Sequence, residues 1–319
     1  MPHRFRDQHL KGVWAAIPLP WTDRGTLDAG ILRELIAIYK DAGVHGVYTT
    51  GTDGEFHVLE LSDFRSMVDA FARAVTDVGI PAQVGVTWVH TAGVIERTAY
   101  ARDRGIQAVQ VALPFWQALN DRELTNFFAD LARAFPDVAL IHYNIALAKR
   151  FLTGTEYRAL LEVAPNLVGT KQTGGNVAAL EEVVLATPEL HHFVVDPHIV
   201  PGLLLGAKGT YSAAVNISAV WMMEWWADCE RGDWSAATSK KVLLDRMDRE
   251  AVRRLPHLSA EPSWSKLYTR CGIFPTMPLA VRAPYLAATE DDARVFRGLL
   301  ETEFAEMIPT GRRATARRR

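Results

Sequence analysis

Eight short apolar runs, separated by longer segments with helical periodicity, constrain this chain more than any other feature of its sequence. Most of the runs are apolar throughout, which is typical of parallel strands that are covered on both faces. Strands that alternate with helices in this way predict an α/β fold, a closed (β/α)8 TIM barrel. The runs fall at residues 13–17, 46–50, 82–87, 108–112, 139–143, 167–170, 193–195 and 209–211.

The segments between the runs carry apolar residues three and four positions apart, which is the spacing of an amphipathic helix. Leu32, Leu35, Ile36 and Tyr39 form one such stripe. An open doubly wound sheet is the rival fold, but no Gly-x-Gly-x-x-Gly turn follows any run. The predicted helices cover residues 29–41, 62–76, 91–104, 121–135, 155–163, 177–186 and 201–205.

Beyond the eighth run, the pattern stays helical from residue 219 to about residue 307. It predicts the eighth barrel helix and up to three further helices packed on the barrel as a C-terminal helical extension. We therefore divide the chain into 1–218 (barrel strands and first seven helices), 219–310 (eighth helix and extension) and 311–319 (a disordered basic tail). Four tryptophans near the start of the extension are expected to pack against the barrel or another subunit: Trp221, Trp225, Trp226 and Trp234.

Composition and charge exclude several classes of protein. Hydrophobic residues make up 49% and charged residues 23% of the 319 residues, which is a globular composition. The net charge is −2, and the last eight residues contain five arginines, so the rest of the chain carries −7. A body this acidic disfavours binding to nucleic acid, and we expect no nucleic-acid partner.

The sequence also predicts where the protein works. The N-terminal residues show no apolar core of a secretory signal, and no run of about 20 apolar residues could span a membrane. Two cysteines, Cys229 and Cys271, do not make a disulfide framework. We therefore expect a cytoplasmic protein with no membrane partner.

In a TIM barrel, function belongs to the carboxyl ends of the strands. Tyr143 ends the fifth run and Lys171 directly follows the sixth, so the two should be neighbours on adjacent strands. Because burial disfavours a charged ammonium group, Lys171 is a candidate for an amine that attacks a ketone to form a Schiff base. Tyr143 could move protons during that reaction. The structural alternatives are a lysine that extends into solvent and a tyrosine that caps a loop.

The loop after the second run reads Gly51-Thr52-Asp53-Gly54-Glu55. Its glycines and hydroxyl predict a turn with exposed backbone N–H groups, which can hold a small anion such as a carboxylate. It is not a Walker loop, because the Gly-Lys-Ser/Thr ending is missing.

Together, this loop, the Tyr143-Asn144 pair and the Gly169-Thr170-Lys171 segment resemble the dihydrodipicolinate synthase/N-acetylneuraminate lyase family of pyruvate-dependent class I aldolases. The resemblance covers the chain from residue 11 to about residue 300. It implies that Lys171 forms the Schiff base with the keto carbon of pyruvate or another 2-oxo acid, and that Tyr143 relays protons.

The resemblance implies further roles around that pair. Gly51, Thr52 and the backbone of Asp53 would hold the carboxylate, and Tyr211 would offer a main-chain carbonyl to the site. No metal or organic cofactor is implied, and the chain would form a homo-oligomer, either a dimer or a tetramer. The spacing of the ten histidines and two cysteines gives the same expectation of no metal, because no His-x-x-x-His or Cys-x-x-Cys pattern predicts a zinc site.

The chain departs from dihydrodipicolinate synthase itself at three positions, and the loss of a tyrosine and the shift of an arginine argue against that activity. The synthase has a second hydroxyl where this chain has Asp53, and a tyrosine lent across a subunit interface where this chain has Trp116. It also has an arginine for the aldehyde's carboxylate at the position of Ala148, which Lys149 and Arg150 follow here. We expect the Asp53 carboxylate to turn away from the anion site, because it would repel a bound carboxylate.

The pattern is closer to hydratase-aldolases that act on arylidene pyruvates. The chain is similar to them in Gly12-Val13-Trp14, the Pro-Phe-Trp turn at 114–116, Gly232-Asp233-Trp234 and Arg282-Ala283-Pro284-Tyr285. Aromatic residues follow the third and fourth runs and are candidates to line a pocket near the lysine, with ordinary packing under loops as the alternative. These residues are Trp88, Phe115 and Trp116.

We therefore expect a carbon–carbon lyase that cleaves or condenses pyruvate, or a related 2-oxo acid, with an aldehyde, aromatic aldehydes being candidates. The alternatives are a 2-keto-3-deoxy sugar acid dehydratase or aldolase, dihydrodipicolinate synthase proper, and a non-catalytic barrel that binds a 2-oxo acid. Asp196 ends the seventh run and is a candidate for a supporting hydrogen-bonding role.

Overall fold

The computed structural model describes residues 10–308, so the predicted tail at 311–319 lies outside the described residues. Eight parallel strands close into a barrel in which each strand pairs with the next along the chain and β8 pairs with β1. The predicted TIM barrel is confirmed. The strands are β1 (Gly12–Ala16), β2 (Gly46–Thr49), β3 (Ala82–Gly85), β4 (Ala108–Val111), β5 (Ala139–Asn144), β6 (Leu167–Gln172), β7 (His191–Val195) and β8 (Gly209–Ser212).

Within residues 10–308, seven α-helices connect the strands and four more follow β8. The connecting helices are α1 (Ala29–Asp41), α2 (Leu61–Val78), α3 (Thr91–Asp103), α4 (Asp121–Ala134), α5 (Gly154–Val163), α6 (Val177–Ala186) and α7 (Ile199–Leu205). The C-terminal helices are α8 (Ala219–Glu230), α9 (Trp234–Arg254), α10 (Glu261–Cys271) and α11 (Glu290–Glu303). No helix within 10–308 has the length and hydropathy that a membrane crossing requires.

Local sequence signals set where several helices begin. The Asp28 side chain accepts a hydrogen bond from the backbone N–H of Ile31 at the start of α1. Asn120 and Glu123 form a capping box at the start of α4, in which each side chain accepts a hydrogen bond from the other residue's backbone N–H. Such caps satisfy backbone donors that have no partner within the helix, so they fix its first turn.

Large side chains fill the barrel interior. Trp14, Tyr48, Phe193 and Tyr211 are each at most 2% exposed and belong to one core cluster. A second, larger cluster lies between the strands and the surrounding helices and includes Trp221 and Trp225 of α8. With the interior packed, chemistry is left to the ends of the strands.

Candidate active site

Lys171 lies in β6 opposite Tyr143 of β5, as the Cα pairing of the two strands shows. Its side chain is buried, and its Nζ lies 4.0 Å from the centre of the Tyr143 ring. The rings of Tyr48 and Tyr211 lie 5.2 and 5.3 Å from the same nitrogen. No residue within 10–308 accepts a hydrogen bond from this Nζ. The amine is thus sheltered from solvent, close to a phenol and uncommitted to a protein partner.

The Tyr143 hydroxyl connects this pair to the loop after β2. It lies 3.4 Å from Thr52 Oγ1, and either group can be the donor. Burial raises the pKa of the phenol, while the nearby Lys171 opposes that rise. The arrangement brings β5, β6 and the 51–55 loop to one point at the carboxyl end of the barrel.

Two residues with strained backbone stand at the ends of the 51–55 loop, one directly before it and one as its last residue. Thr50 has φ 56° and Glu55 has φ 54°, which is left-handed backbone that non-glycine residues rarely adopt. Thr50 is held by its Oγ1, which donates to the Gly85 carbonyl at 2.9 Å. A Cβ on Gly51 would lie 2.0 Å from the Tyr48 hydroxyl, so this close approach requires glycine. The loop is therefore held in one conformation beside the amine.

A buried ion pair fastens the loop to the C-terminal extension. Lys266 of α10 donates to Glu55 Oε1 at 2.5 Å, and the two side chains are 0% and 1% exposed. The same Oε1 accepts from Trp21 Nε1 at 2.7 Å, and Oε2 accepts from the Arg282 backbone N–H at 2.9 Å. Burial lowers the pKa of Lys266 to about 8, although the Glu55 charge opposes that effect. The carboxylate is thus fully satisfied, as a buried charge requires.

Asp53 is directed to the same helix. Its Oδ1 accepts a hydrogen bond from the Ser265 hydroxyl of α10. Burial raises the pKa of the Asp53 carboxyl, while the charge of Lys171 and this hydrogen bond both oppose the rise. The side chain therefore points to α10 while remaining close enough to interact electrostatically with the amine.

A cavity of about 590 Å³ opens beside Tyr143 and Thr52. Lys171 is not itself in the wall, but the Tyr143 ring that adjoins its Nζ is. Ring side chains supply much of the surface, which suits a flat, apolar substrate. They are Phe56, His57, Phe115, Trp116, Tyr143 and Tyr285.

Neither Trp88 nor the ring of Tyr211 belongs to the cavity wall. Trp88 lies outside the cavity wall, because its ring packs under Arg97, whose guanidinium carbon lies 3.6 Å from the ring centre. Gly93 makes room for it, since a Cβ there would lie 2.2 Å from the indole. The Tyr211 hydroxyl donates to Gln83 Oε1 at 2.5 Å inside the barrel, so that ring supports the amine from below the cavity.

Sequence reasoning missed Glu261, which begins α10 and lines the cavity. Burial and the neighbouring Asp53 raise its pKa to about 7, and Lys171 opposes the rise. Local pattern shows only an acidic residue before Pro262 at a helix start. Nothing in that pattern places residue 261 beside residue 53.

Arg150 is unable to take the place of the arginine that binds a carboxylate in dihydrodipicolinate synthase. Its guanidinium donates to Glu156, to Asp121 Oδ1 at 2.5 Å and to the Leu119 carbonyl at 2.5 Å. It does not line the cavity, and neither does any other arginine within 10–308. Its neighbour Lys149 does line the cavity, with its Nζ donating to the Trp116 carbonyl at 2.7 Å.

Asp196 joins the ends of two strands. Its Oδ2 accepts hydrogen bonds at 2.9 Å from the backbone N–H groups of Ala213 and Ala214, which follow β8. Burial raises the pKa of this carboxyl to about 6. No cluster of three or more His, Cys, Asp or Glu side chains within the described part of the chain is arranged to hold a metal ion.

Comparisons with known proteins show the family to which the chain belongs. Residues 9–301 match the model of the dihydrodipicolinate synthetase family. The chain is 30% identical over 216 residues to the 4-hydroxy-tetrahydrodipicolinate synthase of Methanothrix thermoacetophila, covering 66% of this chain and 70% of that protein. It is 26% identical over 297 residues to an uncharacterised DapA-like lyase of Pyrococcus abyssi, covering 92% and 98%.

Solved structures share the fold. YagE, a prophage protein of the dihydrodipicolinic acid synthase family from E. coli K12, was crystallised in complex with pyruvate. It superposes with a TM-score of 0.83 at 22% identity, covering 91% of this chain and 97% of that one. At this identity the likeness shows a common architecture.

Proposed function

This chain belongs to the dihydrodipicolinate synthetase family and is a pyruvate-dependent carbon–carbon lyase, and we propose that Lys171 is its Schiff-base residue and an aromatic aldehyde its second substrate. One observation carries the assignment of the lysine. Its side chain is buried, and its Nζ has no hydrogen-bond acceptor within 10–308 and lies 4.0 Å from the centre of the Tyr143 ring.

The chemistry follows from that pair. In the cleavage direction, the neutral Lys171 amine adds to the C2 keto carbon of the 2-oxo acid, and Tyr143 gives and takes the protons that turn the carbinolamine into an iminium ion and water. The electrons of the C3–C4 bond then move toward the iminium nitrogen, which leaves the enamine of pyruvate and releases an aldehyde. Condensation is the reverse sequence.

The 51–55 loop is suited to hold the substrate carboxylate. Thr52 lines the cavity beside Tyr143, and Gly51 lets the backbone approach closely. Fixed donors of this kind stabilise a carboxylate without reorganising during the reaction. The burial of Lys171 keeps water away from the enamine.

Two observations support an aromatic aldehyde. Six ring side chains face the cavity, which matches an aryl group in shape and polarity. No arginine within the described residues lines the cavity, and Arg150 is engaged by Glu156 and Asp121. An aldehyde that carries its own carboxylate would therefore lack a bidentate partner. This disfavours dihydrodipicolinate synthase proper.

One observation favours the sugar-acid alternative instead. Glu261 and Ser259 line the cavity mouth and could bind the hydroxyls of a 2-keto-3-deoxy sugar acid. Product analysis separates the two substrate classes. Pyruvate release from 4-hydroxy-2-oxo-4-phenylbutanoate, the aldol of pyruvate and benzaldehyde, should greatly exceed release from 2-keto-3-deoxygluconate. The opposite ratio would favour the sugar acid.

Borohydride trapping tests the lysine. Treatment with pyruvate and borohydride should leave a stable secondary amine on Lys171, located by peptide mass spectrometry. The adduct should vanish in Lys171→Ala and persist in Lys208→Ala, which removes an exposed lysine before β8. An adduct in the folded Lys171→Ala protein would refute the assignment. Pyruvate binding to the wild type without any adduct would support a non-catalytic barrel.

A further inference from the structure

Glu261 is the only carboxylate among the described residues that line the cavity. Its side chain is reached by solvent, and no residue within 10–308 forms an ion pair or hydrogen bond with it. Most other acidic groups near the site are engaged: Glu55 by Lys266, and Asp53 by Ser265. A free carboxylate in the wall of the substrate cavity is available to a substrate.

The charged and titratable groups around Glu261 come from several elements. Asp53 lies on the loop after β2, and Lys171 on β6 acts on both carboxyl groups with the opposite charge. His57 packs edge-on against the Tyr285 ring at 4.9 Å between centres, and burial lowers its pKa, so it is neutral at pH 7. Lys149 is the remaining charged residue in the described cavity wall, and its Nζ donates a hydrogen bond to the Trp116 carbonyl.

These neighbours give Glu261 a proton affinity suited to catalysis. Glu261 is exposed at the cavity, but partial desolvation there and the charge of Asp53 raise its pKa to about 7. General acid–base residues work best when their pKa lies close to the operating pH. Burial raises the pKa of the Tyr143 phenol above its ordinary value, so the phenol holds its own proton near neutral pH and is a poor acceptor for the proton of the C4 hydroxyl.

We propose that Glu261 is the catalytic acid–base residue for the aldehyde half of the reaction. The proposal rests on the lyase function argued above. In cleavage, the Glu261 carboxylate takes the proton of the C4 hydroxyl, the C4–O bond becomes the aldehyde carbonyl, and the C3–C4 electron pair moves into the enamine. In condensation, protonated Glu261 returns that proton to the new C4 oxygen. Tyr143 then serves only the steps at C2.

If Glu261 acts as the base in cleavage and as the acid in condensation, the rates of the two directions should depend on pH in opposite ways. Cleavage needs the carboxylate, so its rate should rise with pH through about 7, whereas condensation needs the acid and should fall over the same interval. Glu261→Gln removes the titrating group with little change in size. It should lower kcat for 4-hydroxy-2-oxo-4-phenylbutanoate cleavage by about 10²-fold or more and abolish this limb of the pH profile.

Three comparisons make the test decisive. Glu261→Gln should still form the borohydride-trapped pyruvate adduct at the wild-type rate, because that step is assigned to Lys171 and Tyr143. Glu261→Asp, which keeps the acid on a shorter arm, should recover part of the lost rate. Glu301→Gln, which neutralises an exposed glutamate on α11, should match the wild type in every measurement.

The outcomes separate this inference from the function on which it rests. Absence of an adduct in the wild type would overturn both. Adduct formation with wild-type cleavage and pH profile in Glu261→Gln would overturn only the role of Glu261. The role would also fail if wild type forms the adduct but cleaves neither the phenyl aldol nor 2-keto-3-deoxygluconate.

Discussion

At the scale of single residues, the Schiff-base role proposed for Lys171 requires a neighbour that moves protons. The phenol of Tyr143 is the group in position, with its ring 4.0 Å from Nζ. Removing only the hydroxyl, as Tyr143→Phe, should slow adduct formation with pyruvate by about 10²–10⁴-fold. Borohydride quenching at successive times measures that rate directly.

Stability should change little in this variant. Among the described residues, the hydroxyl's one hydrogen-bond partner is Thr52 at 3.4 Å, a long contact, so the free energy of unfolding should fall by no more than about 1 kcal/mol. Tyr100→Phe, which removes a hydroxyl bonded to Asp69 on the surface, is the matched control. Adduct formation at the wild-type rate in Tyr143→Phe would remove the tyrosine from the mechanism.

The raised pKa of Asp196 predicts that the stability of the folded protein depends on pH. Its pKa rises from an ordinary value of 3.8 to about 6 in the folded protein, so the folded state binds the proton more tightly than the unfolded one. The resulting stability is fully present below pH 3.8 and is lost as pH rises through about 6. Asp196→Asn, whose amide oxygen can still accept from Ala213 and Ala214, should flatten this slope.

Urea unfolding between pH 4 and 8 measures the effect. Relative to the wild type, Asp196→Asn should gain on the order of 1–3 kcal/mol in going from pH 4 to pH 7. Burial also raises the pKa of Asp248 to about 6, so part of the pH dependence of stability should remain in Asp196→Asn. Asp137→Asn, which replaces an exposed aspartate, should leave the pH dependence of stability unchanged. A parallel wild-type and Asp196→Asn profile would show that this carboxyl does not titrate as stated.

The neighbouring positions of Tyr143 and Lys171 could be predicted from the sequence, whereas the orientation of Trp88 could not. Parallel strands in register place the ends of β5 and β6 side by side, so the spacing of Tyr143 and Lys171 in sequence was enough to predict their contact. Trp88 shows the limit, because a position after β3 says nothing about which way the ring turns. Its packing under Arg97 is decided by space that α3 leaves at Gly93.

At the scale of elements, the loop after β2 and helix α10 act as one unit. Lys266→Met should remove the partner of the buried Glu55 carboxylate and cost about 3–5 kcal/mol of unfolding free energy. It should also lower kcat, because the 51–55 loop is held through Glu55. Chemical denaturation and steady-state kinetics measure the two effects.

A double variant tests whether the loss comes from the unpaired charge. Glu55→Gln with Lys266→Met should be more stable than Lys266→Met alone, since the amide oxygen can still accept from Trp21 and no charge is left buried. Lys241→Met, which breaks a partly exposed pair with Asp245 one helical turn away, should cost less than about 1 kcal/mol. Equal losses in the single and double variants would show that side-chain packing, and not charge, holds the loop.

Element boundaries were predictable for a local reason. The pattern at residues 62–76 matches α2, Leu61–Val78, because apolar spacing and capping residues act within a few positions. The contact between Glu55 and Lys266 joins residues 211 positions apart and leaves no trace in either segment's pattern. Glu261 could not be predicted for the same reason, because its position in the site depends on where α10 packs.

At the scale of the whole molecule, apolar side chains remain exposed at the rim of the cavity. Trp116 is 77% exposed and Leu147 is 65% exposed, and both belong to the cavity wall. Exposed apolar surface beside a binding site is typical of a protein interface. The family resemblance implies a dimer or tetramer, with the residue at position 116 lent across an interface. We therefore expect a second copy of the chain to cover this rim.

Light scattering after size-exclusion chromatography tests that expectation. The wild type should have a mass twice or four times that of one chain, and Trp116→Ser should shift toward smaller species as it is diluted, because burial of an indole contributes strongly to association. Leu204→Ser, which removes a 59% exposed side chain outside the cavity wall, should keep the wild-type mass. Since Lys171 and Tyr143 lie within one barrel, Trp116→Ser should still form the pyruvate adduct while losing affinity for the aldehyde. A wild type that runs as a single chain would leave Trp116 as a substrate contact alone.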